Sequence, residues 1–175
     1  MFLLQRDASL VNATDYRNRV PLHNAALEGN SDVVKTLVDH GADVDARGRL
    51  GRTALHVACS KGHVACIHEL MAGGAQIEAK SSDTEDTPLN LAAYFNRPDS
   101  VKTLIDVYKA SIDATDKFGR TALHLAALRG HTDVVRVLVS NTQCDVTIRS
   151  SVGRTAADVA RSEGHEDIVA LLEAK

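Results

Sequence analysis

Eight histidines, three cysteines and 23 acidic residues in a chain of 175 are the raw material for metal binding or acid–base and thiol chemistry. Their spacing argues against all three. His23, His56 and His124 each follow a leucine in a recurring tetrapeptide, and His63, His131 and His165 each follow a glycine. Equivalent positions in stacked units stand roughly 10 Å apart, whereas a zinc site needs its donors at about 2 Å. The expected role of these rings is to hydrogen-bond nearby backbone. Only His40 and His68 lie outside the pattern, and they read as surface residues. Cys59 and Cys66 align with Ala127 and Val134, and Cys144 sits in a loop slot that favours alanine, so all three read as small core filler rather than reactive thiols. There is no Gly-rich phosphate loop, nucleophile elbow or zinc signature, and Gly48–Gly51 reads as a turn tip. The carboxylates are scattered without an acid–base pair. The expectation is a non-enzymatic chain with no catalytic residue, metal or cofactor.

Composition points the same way. With 44% apolar and 25% charged residues the chain is ordinary for a folded soluble protein, and no apolar run approaches the ~18 residues that span a bilayer. Met1–Leu4 is too short for a secretory signal. A formal charge of −3 offers no general attraction to nucleic acid or an acidic membrane. An odd, small cysteine count fits a reducing compartment, cytoplasmic or nuclear. Aromatics make up only 3%, with no tryptophan, so something other than large rings fills the core.

The elements that position these residues repeat. Val20-Pro21-Leu22-His23, Thr53-Ala54-Leu55-His56, Thr87-Pro88-Leu89-Asn90, Thr121-Ala122-Leu123-His124 and Thr155-Ala156-Ala157-Asp158 begin at intervals of 33, 34, 34 and 34 residues. Gly29, Gly62, Asn96, Gly130 and Gly164 follow nine residues after each start, and apolar pairs such as Val33-Val34, Cys66-Ile67 and Val134-Val135 come next. Within a unit, Thr121 is an N-cap, Leu123, Ala126 and Ala127 give a short helix its apolar face, and Gly130 ends it. Val134, Val135, Leu138 and Val139 line one face of a second helix, and a loop reversing at Gly153 follows. Each unit is thus helix, turn, helix, hairpin. Helices this short must stack on neighbours to bury their apolar stripes, and close stacking favours Ala, Val and Leu over rings.

The Thr-Pro-Leu-His tetrapeptide, paired alanines, Gly-His turn and Gly41-Ala42-Asp43-Val44-Asp45 loop entry resemble the ankyrin repeat over about residues 20–175. The fold this implies is an all-α solenoid of about five stacked helix-turn-helix units with β-hairpin-like loops. Residues 1–19 form a half repeat or cap, in which Leu3-Leu4 ends a second helix. Repeats follow at 20–52, 53–86, 87–120 and 121–154, and 155–175 form a capping repeat whose Asp158 and Arg161 make its outer face polar. The third unit departs furthest: Asn90 replaces His, Asn96-Arg97-Pro98 replaces the Gly-His turn, and Tyr94-Phe95 stand before that turn. Its preceding hairpin, 80–86, is acidic, glycine-free and one residue longer than its counterpart. Asn96 tolerates the left-handed conformation that this turn needs.

The resemblance implies a protein partner, bound at hairpin tips and on the first helices between the second alanine and the turn. In this sequence those slots hold Arg49, Leu50, Asp83, Thr84, Lys117 and Phe118 at the tips, and Lys61, Tyr94, Phe95, Leu128 and Arg129 on the helices. Three of six aromatics fall among them, which places the expected centre at Tyr94, Phe95 and Phe118. Arg19, Arg52, Asp86, Arg120 and Arg154 share the slot before each repeat, a basic ladder with an acidic notch, read as solvated, with recognition of acidic or phosphorylated protein segments as the alternative. Asp45 and Asn12, each eight residues after a leucine, resemble the pattern hydroxylated in ankyrin repeats, although a hydrogen-bonding role in the loop is the stronger reading. The implied role is that of an adaptor or scaffold, monomeric unless its N-terminal edge pairs. The alternatives are a targeting segment of a longer enzyme, channel or ubiquitin-ligase adaptor, or a stand-alone inhibitor or assembly chaperone.

Overall fold

The computed structural model describes residues 8–175. The expected helix end at Leu3-Leu4, and Leu4 of the Leu4–Asn12 pattern, lie outside these residues. Among them are ten α-helices, none longer than nine residues, and no β-strand. The first helices of the repeats, α1 (Pro21–Glu28), α3 (Ala54–Lys61), α5 (Pro88–Tyr94), α7 (Ala122–Arg129) and α9 (Ala156–Glu163), pack side by side in one layer. The second helices, α2 (Ser31–Asp39), α4 (Val64–Ala72), α6 (Pro98–Asp106), α8 (Thr132–Ser140) and α10 (Glu166–Glu173), form the layer behind. The core runs between the layers. Leu22, Leu55, Leu89 and Leu123 are buried in α1, α3, α5 and α7, and Leu37, Leu70, Leu104, Leu138 and Leu172 in the second helices. Paired small residues, Ala25-Ala26, Ala58-Cys59, Ala92-Ala93 and Ala126-Ala127, are buried where first helices meet, which is why so few rings are needed.

Three kinds of contact hold the stack together, the first within each repeat and the others between repeats. In the first, a tetrapeptide histidine acts as a two-ended pin. His56 Nδ1 accepts from the Thr53 backbone N–H (3.1 Å) and hydroxyl (2.9 Å), so Nε2 carries the proton and donates to the Asp86 carbonyl at 3.0 Å. His23 and His124 repeat this on the Arg52 and Arg154 carbonyls at 2.9 and 3.0 Å. Burial pushes all three imidazoles below their ordinary pKa, His56 to about 4. In the last repeat Asp158 takes the slot and makes a capping box: Thr155 N–H donates to its carboxylate (3.0 Å), and its own N–H donates to Thr155 Oγ1 (3.2 Å).

The second lock explains the Gly-His dipeptide. Gly130 holds φ at 69°, and a methyl group added there would stand 2.7 Å from the His165 ring of the next repeat. Gly29 faces His63 in the same way. His63 and His131 use Nε2 to reach carbonyls one repeat back, Leu27 at 3.3 Å and Tyr94 at 3.0 Å. The deviant third repeat keeps the device with other residues: Asn96 adopts φ 55°, and Arg97 Nε donates to the Ser60 carbonyl at 3.1 Å.

The third lock joins loop to loop. Asn12 Oδ1 accepts from Asp43 N–H (2.8 Å), Asp45 Oδ1 from Gln76 N–H (2.9 Å), and Glu78 Oε1 from Ser111 N–H (2.7 Å). Each hairpin-like loop is closed across its base by a backbone bond, such as Gly48 N–H to the Arg52 carbonyl (2.9 Å), and all but the third add a tighter turn bond, such as Gly51 N–H to the Gly48 carbonyl (3.0 Å). Neighbouring tips share single bonds too: Ser82 N–H to Leu50, Lys117 N–H to Thr84 and Ser151 N–H to Phe118. The longer third loop closes from Ser81 to Asp86 and puts Glu85 at φ 56°.

Candidate partner-docking surface

The first-helix layer and the row of tips bound one continuous face, and one of its concave features lies where the sequence departs from its own pattern. Between α5 and α7 an open pocket of about 280 Å³ is walled by Leu91, Tyr94, Phe95, Leu125 and Leu128. Its polar side is formed by Arg52, Thr84, Asp86 and Arg120. Tyr94 and Phe95 meet edge to face, with ring centroids 5.1 Å apart, and the Arg129 guanidinium lies 5.0 Å from the Tyr94 centroid. Phe95 is 42% exposed, an unusual position for a ring in a protein that has so few.

Four of the residues expected to contact a partner line this pocket: Thr84, Tyr94, Phe95 and Leu128. The others lie around it. Phe118, 43% exposed, sits at the tip between α5 and α7, flanked by Lys117 at 5.1 Å and Arg120 at 4.8 Å from its ring. The Lys117 ammonium donates to the Asp83 carbonyl, which ties two tips together. Arg49 and Leu50 line a separate pocket with Arg19, His23, Arg52 and Val57, and Lys61 lines a cleft with Arg97 and Pro98 at the opposite end of the helices.

Three arginines of the ladder are partly exposed and ion-paired. Arg19 pairs with Asp15 at 2.9 Å, Arg52 with Asp83 at 3.6 Å and Arg120 with Asp116 at 2.7 Å; only Arg154 is exposed without such a partner among the described residues. Arg120 and Asp116 form a two-point contact, Nε and Nη2 on Oδ2, while Asp116 Oδ1 accepts from the backbone of Phe118 and Arg120, both at 2.8 Å. Arg52 lacks an aspartate in its own loop, where Gly48 takes that place beneath the His23 ring, so it reaches to the next tip. Asp86, the notch in the ladder, is 7% exposed and receives the Thr84 hydroxyl. Burial raises its pKa, the Thr84 hydrogen bond opposes that, and the Asp116 charge adds to the rise. Arg52, Asp86, Arg120, Leu91 and Leu125 were not among the expected contact residues. The slot shared by Arg52, Asp86 and Arg120 was the available signal, but neither their burial nor the convergence of this column on the aromatic pair is written in the spacing.

No group of three or more potential metal ligands occurs among the described residues. The three cysteines are free and buried, and burial raises the thiol pKa of each, Cys144 to about 11. No helix among them is long and apolar enough to cross a membrane. The surface is thus equipped to bind by shape, apolar contact and charge.

The family profile described as ankyrin repeats (3 copies) matches the chain twice, over residues 22–116 and 89–175. Among curated proteins, the chain is 38% identical over 120 residues to a transient receptor potential cation channel subfamily A member 1 homolog of Caenorhabditis elegans, covering 69% of this chain and 10% of that protein. It is 39% identical over 90 residues to protein phosphatase 1 regulatory subunit 27 of Homo sapiens, covering 51% and 54%. It is 34% identical over 104 residues to a probable E3 ubiquitin-protein ligase of Oryza sativa, XBOS31, covering 59% and 23%. The chain thus spans about half, or much less, of the length of these relatives.

Proposed function

The chain belongs to the ankyrin-repeat family, and we propose that it serves as a non-catalytic protein-interaction module, an adaptor or scaffold whose first-helix face and loop tips dock a protein partner. The observation that carries this reading is the pocket walled by Tyr94 and Phe95 between α5 and α7. Aromatic anchors beside arginines are the composition of binding hot spots. Because the repeats lock through His56, His131 and Arg97, the surface is held in place before a partner arrives, and little ordering entropy opposes docking. Tyr94, Phe95, Phe118, Leu128 and Thr84 form the centre of the contact, with Arg49, Leu50, Lys61, Asp83, Lys117 and Arg129 around it.

A second reading is favoured by the lengths of the relatives. The channel and ubiquitin-ligase relatives carry the matched repeats as a small fraction of their length, and this array serves equally as the targeting segment of a longer protein. The test for both is affinity capture with the wild-type array and with Tyr94→Ala/Phe95→Ala, compared by mass spectrometry. A partner lost in the double variant while the helical melt is unchanged supports docking on this face. Partners retained in full, or mapped only to the second helices, overturn it.

A further inference from the structure

We propose that the pocket between α5 and α7 receives a lysine or arginine side chain of a protein partner, with Asp86 as its counter-ion. This rests on the reading that the first-helix face docks a protein. Asp83, Asp86, Asp116, Arg52 and Arg120 meet around the pocket, and the Arg129 guanidinium lies over the ring of Tyr94 in its wall. Asp83 is paired with Arg52 and Asp116 with Arg120, while Asp86 makes no ion pair among the described residues and receives only the Thr84 hydroxyl. Asp86 is therefore the carboxylate of the three without a counter-ion at ion-pair distance among the described residues, and it lies at the pocket wall on a side chain almost wholly removed from water.

A carboxylate in that position is costly without a cation, and its raised pKa, with burial as the largest cause, registers the cost. The rest of the pocket suits the stem of a long basic side chain. Leu91, Leu125 and Leu128 offer aliphatic wall, and Tyr94 and Phe95 offer rings over which a cation or its methylenes can lie. At about 280 Å³ the pocket falls just below the roughly 300–1,000 Å³ of small-molecule sites, a size for side chains rather than a cofactor. An acidic segment fits less well, because Arg120 is held at two points by Asp116, Arg52 is paired with Asp83 through Nη2, though its Nε has no partner among the described residues, and Asp86 would repel it.

The test is selection of randomised dodecapeptides displayed on phage against the full chain, followed by titration of the synthetic winners. The expected winners carry a Lys or Arg beside an apolar residue. Replacing that Arg by citrulline, or that Lys by norleucine, should weaken binding by about tenfold or more, and Asp86→Asn should weaken the parent peptide similarly while leaving the neutral analogue unaffected. Asp86→Arg, which restores the residue found in the flanking repeats, should abolish binding, and thermal melts confirm that both variants fold. Peptides that bind this face without a basic residue, or that ignore both Asp86 variants, overturn the assignment while leaving the docking face intact. If Tyr94→Ala/Phe95→Ala leaves every peptide's binding unchanged, the docking face itself is overturned.

Discussion

His56 and Asn90 occupy the same slot one repeat apart, yet only His56 reaches the loop that closes its repeat. Its Nε2 donates to the Asp86 carbonyl at 3.0 Å, whereas both polar atoms of the fully buried Asn90 amide lack any partner. An amide is shorter than an imidazole, so it cannot span from its own helix start to the following loop. A buried polar group left unpaired costs about 1–3 kcal/mol. The third repeat therefore holds the start of its first helix to its closing loop less firmly than its neighbours do.

Asn90→His should raise stability by about 1–2 kcal/mol, because the ring would gain the Thr87 and next-loop contacts that its counterparts make. His56→Asn should lower stability by about 2 kcal/mol. Urea denaturation of the two variants reads both. A loss on introducing histidine at position 90 would mean that the slot has closed around the smaller residue.

Acid should weaken the fold before its carboxylates titrate. His23, His56 and His124 are held neutral by burial, with folded pKa values below the ordinary 6.5. As pH falls below that value the unfolded chain takes up protons that the folded chain refuses, so stability is present near neutrality and is lost on acidification. For His56 alone, with a folded pKa of about 4, the loss between neutrality and pH 4 is on the order of 3 kcal/mol. Asp15 and Asp158, whose pKa values are lowered by hydrogen bonds from Arg19 and Thr155, add their losses only below about 3.8. Denaturation midpoints at pH 7.5 and pH 5 should differ, and His56→Gln should shrink the difference. Equal midpoints would show that these rings are not confined as neutral donors.

Glu85→Gly should stabilise the third loop by about 1 kcal/mol. Glu85 sits at φ 56°, where the corresponding Gly119 and Gly153 hold 68° and 78°, and a side chain in that region costs roughly 1–2 kcal/mol. Its ion pair with Lys80, at 3.3 Å and about half exposed, is worth little. A thermal melt decides the matter, and a lower midpoint would show that the loop depends on the glutamate.

The folded protein should resist thiol alkylation. Cys59 and Cys66 are fully buried and Cys144 nearly so, and burial raises each thiol pKa; the reactive species is the thiolate. Iodoacetamide at neutral pH should label the chain only in denaturant. Rapid labelling of the native protein would identify an opening of the stack.

How much of this was legible beforehand follows from the range of each interaction. The histidine slot, the turn glycines, the left-handed Asn96 and the buried Cys59 recur in register or have counterparts that do, and recurrence exposed them. The two helix layers followed from the same period. The partners of Arg52 and Arg97 did not: Arg52 reaches Asp83 in the next loop, which has no counterpart pairing among the described residues of the other repeats, and Arg97 reaches the Ser60 carbonyl from a position held by His63 and His131 in other repeats. Asp86 was visible as an exception in its column, but a column read from spacing alone carries no depth. Its burial depends on how the longer loop and the Tyr94-Phe95 pair close around it, a matter of packing that a one-dimensional pattern does not record.

The single hydrogen bonds between neighbouring tips, such as Ser151 N–H to the Phe118 carbonyl at 2.9 Å, have a consequence for colloidal behaviour. The third, fourth and fifth tips each spend one amide on the tip before and turn away before a second can form, so no extended ladder develops along the row among the described residues. A row of reversals without ladders presents no open sheet border to which a stray strand from another molecule could add. The protein can expose valine and phenylalanine at its tips without offering the backbone template on which fibrils grow.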